Sequence, residues 1–223
     1  MRRLCLVLPL PLVLACASTL SAQLALAQAT TNVDNDRVRV LSVVDAPDKR
    51  GGFHEHKMNR VMIYLDAGAD KLTYQDGRVQ MVKFSAGEVL WSPISGVHRS
   101  ENASGKAGRI VEIELKKPGK PFTTGDLDPL TVAPEGYKIV LENDQVRVVR
   151  ARIPAHGKVP LHEHSVDRVV VYLTPYKLRV LPEHGGPIES TGQAADVRFA
   201  PPARHAEENL SDLPFEVISV ELK

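Results

Sequence analysis

The chain is short of cysteine, of net charge and of long apolar runs. Among its 223 residues only Cys5 and Cys16 carry a thiol, and both fall in an N-terminal stretch read below as a leader. Beyond that stretch nothing can form a disulfide, attack as a thiolate or bind a metal through sulfur. The mature fold must therefore be held by its core alone. The 28 basic and 27 acidic residues leave a formal charge of +1, and losing Arg2 and Arg3 with the leader keeps the balance near zero. Such a balance carries neither a nucleic-acid footprint nor a basic patch for a membrane surface. The one apolar run, Leu4 to Ala17, is broken by Pro9 and Pro11. It falls short of the roughly 20 residues that span a bilayer, so no stable membrane insertion is expected.

The order of the leader is that of a secretory signal peptide: Arg2 and Arg3, the apolar run, then Ala25-Leu26-Ala27 and Ala27-Gln28-Ala29 as small-residue cleavage sites. Residues 1–29 are read as that peptide, with a mature N-terminus between Gln28 and Thr30 and a periplasmic or secreted protein as the expectation. Val13-Leu14-Ala15-Cys16 loosely resembles a lipobox, which makes lipoprotein anchoring at Cys16 the rival reading.

The mature chain is written twice. His54-Glu55-His56 recurs 108 positions later as His162-Glu163-His164, and each leads into an Arg-initiated apolar run, Arg60 to Leu65 and Arg168 to Leu173. A further His follows in each half, His98 and His205, with an Asn four residues on, Asn102 and Asn209. Asn35 to Val40 is echoed by Asn143 to Val148, and Glu114-Leu115-Lys116 by Glu221-Leu222-Lys223. Self-similarity on this scale means two copies of one structural plan. Six of the eight histidines sit at the repeated positions. On a strand, alternate residues share a face, so each His-x-His turns two imidazoles toward one cavity.

Everything between these anchors reads as β. Val38 to Val44 alternates, Asp76-Gly77 is a two-residue hairpin signal between Lys71–Gln75 and Arg78–Phe84, and Glu88 to Trp91 and Arg109 to Lys116 complete the first half. Val146 to Ile153, Lys177 to Leu181, Asp196 to Phe199 and Glu216 to Leu222 do the same in the second. Lys117 to Gly136 carries four prolines and three glycines, a composition no sheet interior accepts. The expected domains are residues 30–116, a connector at 117–136 lying against both halves, and 137–223.

At these residues each half resembles a cupin. The family's first motif is His-x-His followed by a Glu four or five residues on; its second is a Gly, a Pro, a His and then an Asn. Gly87, Pro93, Gly96, His98 and Asn102 follow the second motif closely. The other half keeps Pro201, His205 and Asn209 with Ala near the first glycine position. The resemblance implies an all-β chain, two double-stranded β-helix (jelly-roll-like) barrels in tandem, with a divalent metal such as Fe, Mn, Zn or Ni held by His54, His56 and His98 and by His162, His164 and His205. Such a fold hosts many unrelated activities.

One departure matters most. The usual Glu position holds Arg60 in one half and Arg168 in the other. A like charge 4 Å from a divalent ion costs on the order of 8 kcal/mol at an effective dielectric of 20. Either the arginine swings away, or an anion sits between, or there is no metal. Strand parity turns both arginines inward with Tyr64 and Tyr172, which are read as substrate-binding candidates lining the cavity or, alternatively, as tyrosines packed in the barrel wall. A buried guanidinium needs a partner, so Arg60 and Arg168 are read as carboxylate-binding groups, with Glu101, Glu208 and Asp167 as the intramolecular alternatives. Glu55 and Glu163 point outward, and no carboxylate is expected beside the histidines. The retained Gly87 and Gly96 make the first half the expected working site. Two functions follow: a metal-dependent enzyme on a small, anionic molecule (oxygenase, isomerase or hydrolase), or a metal-free barrel that binds such an anion without turnover. A homodimer is compatible with either.

Overall fold

The computed structural model describes residues 28–47, 50–120 and 122–223; most of the leader, including Cys5 and Cys16, lies outside them. The first half contains β1 (Gln28–Asp34), β2 (Val38–Asp45), β3 (His54–His56), β4 (Arg60–Tyr64), β5 (Gly68–Tyr74), β6 (Val79–Phe84), β7 (Glu88–Ser92), β8 (Ser95–Asn102) and β9 (Gly108–Leu115). After one helical turn, α1 (Pro129–Val132), the second half contains β10 (Tyr137–Glu142), β11 (Val146–Ile153), β12 (Lys158–His164), β13 (Arg168–Tyr172), β14 (Tyr176–Pro182), β15 (Ile188–Gly192), β16 (Val197–Ala200), β17 (Ala203–Asn209) and β18 (Phe215–Leu222).

The two halves have one topology. A five-stranded sheet β1-β2-β9-β4-β7 and a four-stranded sheet β3-β8-β5-β6 form the first barrel; β10-β11-β18-β13-β16 and β12-β17-β14-β15 form the second. All pairings are antiparallel, as hairpin and Greek-key connections require. Asp76-Gly77 makes the expected tight turn, with Gly77 at φ +88.

The largest hydrophobic core is not inside either barrel. Val38, Val61, Ile63, Val111 and Ile113 from the first half join Val146, Val169, Val171, Ile218 and Val220 from the second in one cluster, all fully buried. The two five-stranded sheets thus pack against each other through their outer faces. The period of two explains the division. On β4, Val61 and Ile63 face the other half, while Arg60, Met62 and Tyr64 face their own barrel. Arg37 adds polar closure by donating to the carbonyls of Leu222 and Lys223 across the seam.

The barrel interiors differ. Nine buried residues, among them Tyr137, Tyr176, Leu178 and Phe215, fill the second. Among the described residues, a cluster of three, Tyr64, Phe84 and Ile110, stands in the first. The cavities that remain measure about 1050 Å³ in the first barrel and about 250 Å³ in the second.

The connector's helical turn packs on β12 and β10, both strands of the second half. The Asp128 side chain caps it by accepting from the Leu130 amide at 2.9 Å, and Pro129 at the first helical position is buried. At its start Lys117 reaches back to the first half through an ion pair with Asp36.

Candidate functional site

Strand pairing assembles each triad. β3 runs beside β8 with His54 opposite His98, and β12 beside β17 with His162 opposite His205. Ring centroids lie 4.8 to 5.4 Å apart in the first set and 4.4 to 5.4 Å apart in the second. In both sets one ligand nitrogen from each ring lies within 4.8 Å of the others. All six histidines expected from the sequence are therefore brought together, three to a barrel.

The backbone orients several of the rings. His54 Nδ1 sits 3.0 Å from the Gly52 carbonyl, His98 Nδ1 2.9 Å from that of Gly96, and His162 Nδ1 2.9 Å from that of Pro160. A carbonyl only accepts, so each Nδ1 carries the hydrogen and each Nε2 keeps its lone pair. The second His of each motif instead turns Nδ1 toward a carboxylate: His56 toward Glu112 and His164 toward Glu221, both at 3.7 Å. Burial, then Arg60 and the neighbouring imidazoles, pushes His56 down to about 3. Burial pulls His164 down to about 4 against the opposing pull of Glu221, and His205 to about 3 with help from His162 and His164. These rings are neutral at physiological pH, the state in which imidazole binds metal.

Carboxylates therefore do lie beside the histidines, contrary to the expectation from sequence. They come from the last strand of each half. Register places Glu114 opposite Arg60 and Glu221 opposite Arg168, so the acid missing from the motif strand returns on its neighbour. Arg39 holds Glu114. Arg147 holds Glu221 and also donates to Asp128 of the connector at 2.7 Å, giving a chain Asp128–Arg147–Glu221–His164. In the second barrel Glu207 accepts from the Tyr137 hydroxyl at 3.0 Å and lies 4.0 Å from His205 Nε2.

The two arginines are both buried and both line their cavities, but their partners differ. Arg60 Nη1 donates to Glu112 at 2.8 Å and lies 2.9 Å from His56 Nε2, while Nη2 donates to Ser92 Oγ at 2.8 Å. Arg168 forms no ion pair among the described residues; its Nη1 donates to the Pro201 carbonyl at 2.8 Å. Burial lowers its pKa, with Glu221 and Glu207 opposing from a distance. The acids proposed as partners are engaged elsewhere: Glu101 with Arg50, Glu208 with Arg179 and Asp167 with Arg37.

Tyr64 and Tyr172 line the cavities while stacking on Phe84 and Tyr176 at 3.7 and 3.8 Å, so they serve as packed walls. Glu55 is exposed, and Glu163 pairs outward with Arg204 at 3.2 Å. Both motif asparagines are buried: Asn102 donates to the carbonyls of Asp45 and Lys106, and Asn209 to those of Pro154 and Leu213. They tie turns together through these bonds. His156 and His184 are exposed.

The donor set of the second triad fits a divalent metal. His162 is fully buried, its Nε2 has no hydrogen-bond partner, and His164 and His205 stand beside it without a competing donor. The first triad is a poorer fit, because a guanidinium N–H already meets His56 Nε2.

Solved structures show the same architecture. AerE from Microcystis aeruginosa superimposes with a TM-score of 0.62 at 13% identity, covering 88% of this chain and 98% of that one. Oxalate decarboxylase from Bacillus subtilis, whose Mn(II) centres are named in one of these structures, gives 0.61 at 13% identity over 88% of this chain and 72% of its own. A cupin 2 conserved barrel domain protein from Leptotrichia buccalis gives 0.54 at 10% identity over 89% and 90%. The fold is thus two cupin barrels in tandem. No family model matches the sequence, and no curated protein does.

Proposed function

We propose that the second barrel is the working site, in which His162, His164 and His205 hold a divalent metal and Arg168 holds the anionic group of a small molecule beside it. The observation that carries this is the His162 Nε2, fully buried and without a partner, in a triad whose His164 and His205 line the same cavity as Arg168, an arginine with no ion pair among the described residues. Buried polar atoms are costly unless satisfied. Three neutral imidazoles accept Fe, Mn, Zn or Ni. When bound, the ion would supply Lewis-acid polarisation of an oxygen ligand or an activated water.

The chain's own groups do the rest. Arg168 keeps its charge at any working pH and offers a planar donor fork suited to a carboxylate. The cavity of about 250 Å³ limits the ligand to a small molecule, with Tyr137 and Tyr172 as walls. Glu207 is the carboxylate placed to take or return a proton near His205. The likeness to an oxalate decarboxylase with Mn(II) centres makes Mn(II) and oxalate the first probes to use.

Metal analysis after Mn(II) or Zn(II) loading should show a bound ion that His162→Ala and His205→Ala each remove. Calorimetric titration with oxalate should show Arg168→Ala weakening binding by about 30-fold, roughly 2 kcal/mol. A metal-free protein that still binds carboxylates through Arg168 would turn the site into a binding barrel without turnover. Failure to bind either probe ends the proposal.

A further inference from the structure

The geometry points to one metal per chain, because Arg60 takes the cation's place in the first triad. This rests on the second triad holding a metal, and it reverses the preference that the glycines of the first half suggested. His56 Nε2 faces His54 Nε2 at 3.0 Å, the approach of two ligand nitrogens toward a shared cation. In this chain that lone pair already meets an N–H of Arg60 at 2.9 Å. A guanidinium only donates and does not deprotonate, so the lone pair it engages is not free for a metal.

Arg60 is held there from both sides. Glu112 accepts from the same nitrogen at 2.8 Å, and Ser92 Oγ accepts from the other at 2.8 Å. The repeat shows why Arg168 behaves otherwise. The positions matching Glu112 and Ser92 are Ser219 and Ala200, and Ala200 sits opposite Arg168 on β16 as Ser92 sits opposite Arg60 on β7. Ala200 offers no acceptor, the Ser219 hydroxyl is buried without engaging a partner, and Arg168 turns to the Pro201 carbonyl. Its ring neighbours stay free. The missing glycine of the second half does not count against it: Ala195, at the place of Gly87, adopts the same left-handed backbone, φ 75 in both.

The test is metal content by elemental analysis after loading with Mn(II), and separately Zn(II), followed by dialysis. The wild type should retain one ion per chain, His98→Ala one and His205→Ala none. Arg60→Gln, which keeps neutral hydrogen-bonding capacity toward Glu112 and Ser92, should raise the count to two, and in the His205→Ala background from none to one. The converse pair Ala200→Ser with Ser219→Glu should lock Arg168 and bring the second site's ion from one to none. Two ions in the wild type, or loss of the ion in His98→Ala, would overturn the inference. A wild type holding none defeats the proposed function instead; Arg60→Gln then still decides, a gained ion supporting the role of Arg60 and no gain refuting it.

Discussion

Glu221 is the residue whose loss separates positioning from ligation most cleanly. It is 2% exposed, holds Arg147 on one side and faces His164 Nδ1 at 3.7 Å on the other. Glu221→Gln keeps the shape and removes the charge. Arg147 retains Asp128 at 2.7 Å, so one of its two anions survives and the fold should persist. Losing one charge-assisted contact in a buried place costs about 1.5–3 kcal/mol. For the metal, removing the carboxylate behind a ligating imidazole typically weakens affinity 10- to 100-fold, about 1.4–2.7 kcal/mol. Urea unfolding of the metal-free protein measures the first quantity, and competitive titration with a metal chelator the second. Glu114→Gln, its counterpart in the first barrel, should lower stability without moving the metal affinity. The reasoning is refuted if Glu221→Gln binds metal as the wild type does, or if Glu114→Gln weakens it equally.

Four further outcomes are expected. Burial and the neighbouring Asp45 raise Asp70 to about 6 from 3.8, so the folded state binds the extra proton and stability falls as pH rises from about 4 to about 6; Asp70→Asn should gain up to about 3 kcal/mol at pH 7, nearer 1–2 after solvent screening, and nothing at pH 3, and a gain independent of pH in urea titrations would contradict this. Ala195→Gly should raise stability by about 1 kcal/mol, read as a higher urea midpoint, because a side chain at φ 75 is strained where glycine is not. Ile218→Ala, emptying a fully buried place in the core between the barrels, should cost about 2–5 kcal/mol, and calorimetry should show both halves melting in one transition rather than two. We also expect export with cleavage after Ala27, which keeps β1 whole from Gln28; a diacylated chain beginning at Cys16, seen by intact mass, would refute it.

The architecture was legible because the repeat prints the same signals twice. His54-Glu55-His56 and its copy, the Arg-led runs and the Asp76-Gly77 turn each report local geometry, and local geometry is what residue patterning encodes. Of the strands that the pattern does not mark, β1, β8, β15 and β17 are largely polar, while β10 is an apolar run that follows directly on the connector. Ser95-Gly96-Val97-His98 has no clean alternation, and it becomes a strand because β3 and β5 flank it, which is tertiary context overriding a weak local preference. The core was legible in its residues but not in its location. Strand parity sets Val61 and Ile63 on the face opposite the inward-turned Arg60 and Tyr64, and that outward face is buried because a second copy of the same sheet covers it.

The site shows the sharper limit. Glu112, Glu114 and Glu221 stand more than 50 residues from the motif strands they face, and only register brings them there: Arg60 beside Glu114, Arg168 beside Glu221. One signal was on view, since the Glu of the repeated Glu-Leu-Lys is the acid that each motif strand lacks. It marked the repeat and not the site, because nothing local says which strand lies next to Arg60. The difference between the two barrels is harder still to read, because it rests on two pairs of ordinary residues. Ser92 and Ala200 differ by a hydroxyl, and Glu112 and Ser219 by a carboxylate, at positions without any motif character. Each pair matters only through the arginine it does or does not hold. A guanidinium fixed by Glu112 and Ser92 occupies a histidine's lone pair; the same guanidinium without them leaves three lone pairs free and a positive charge facing the cavity. What surrounds each triad is thus decided in the five-stranded sheet, one strand away from its arginine.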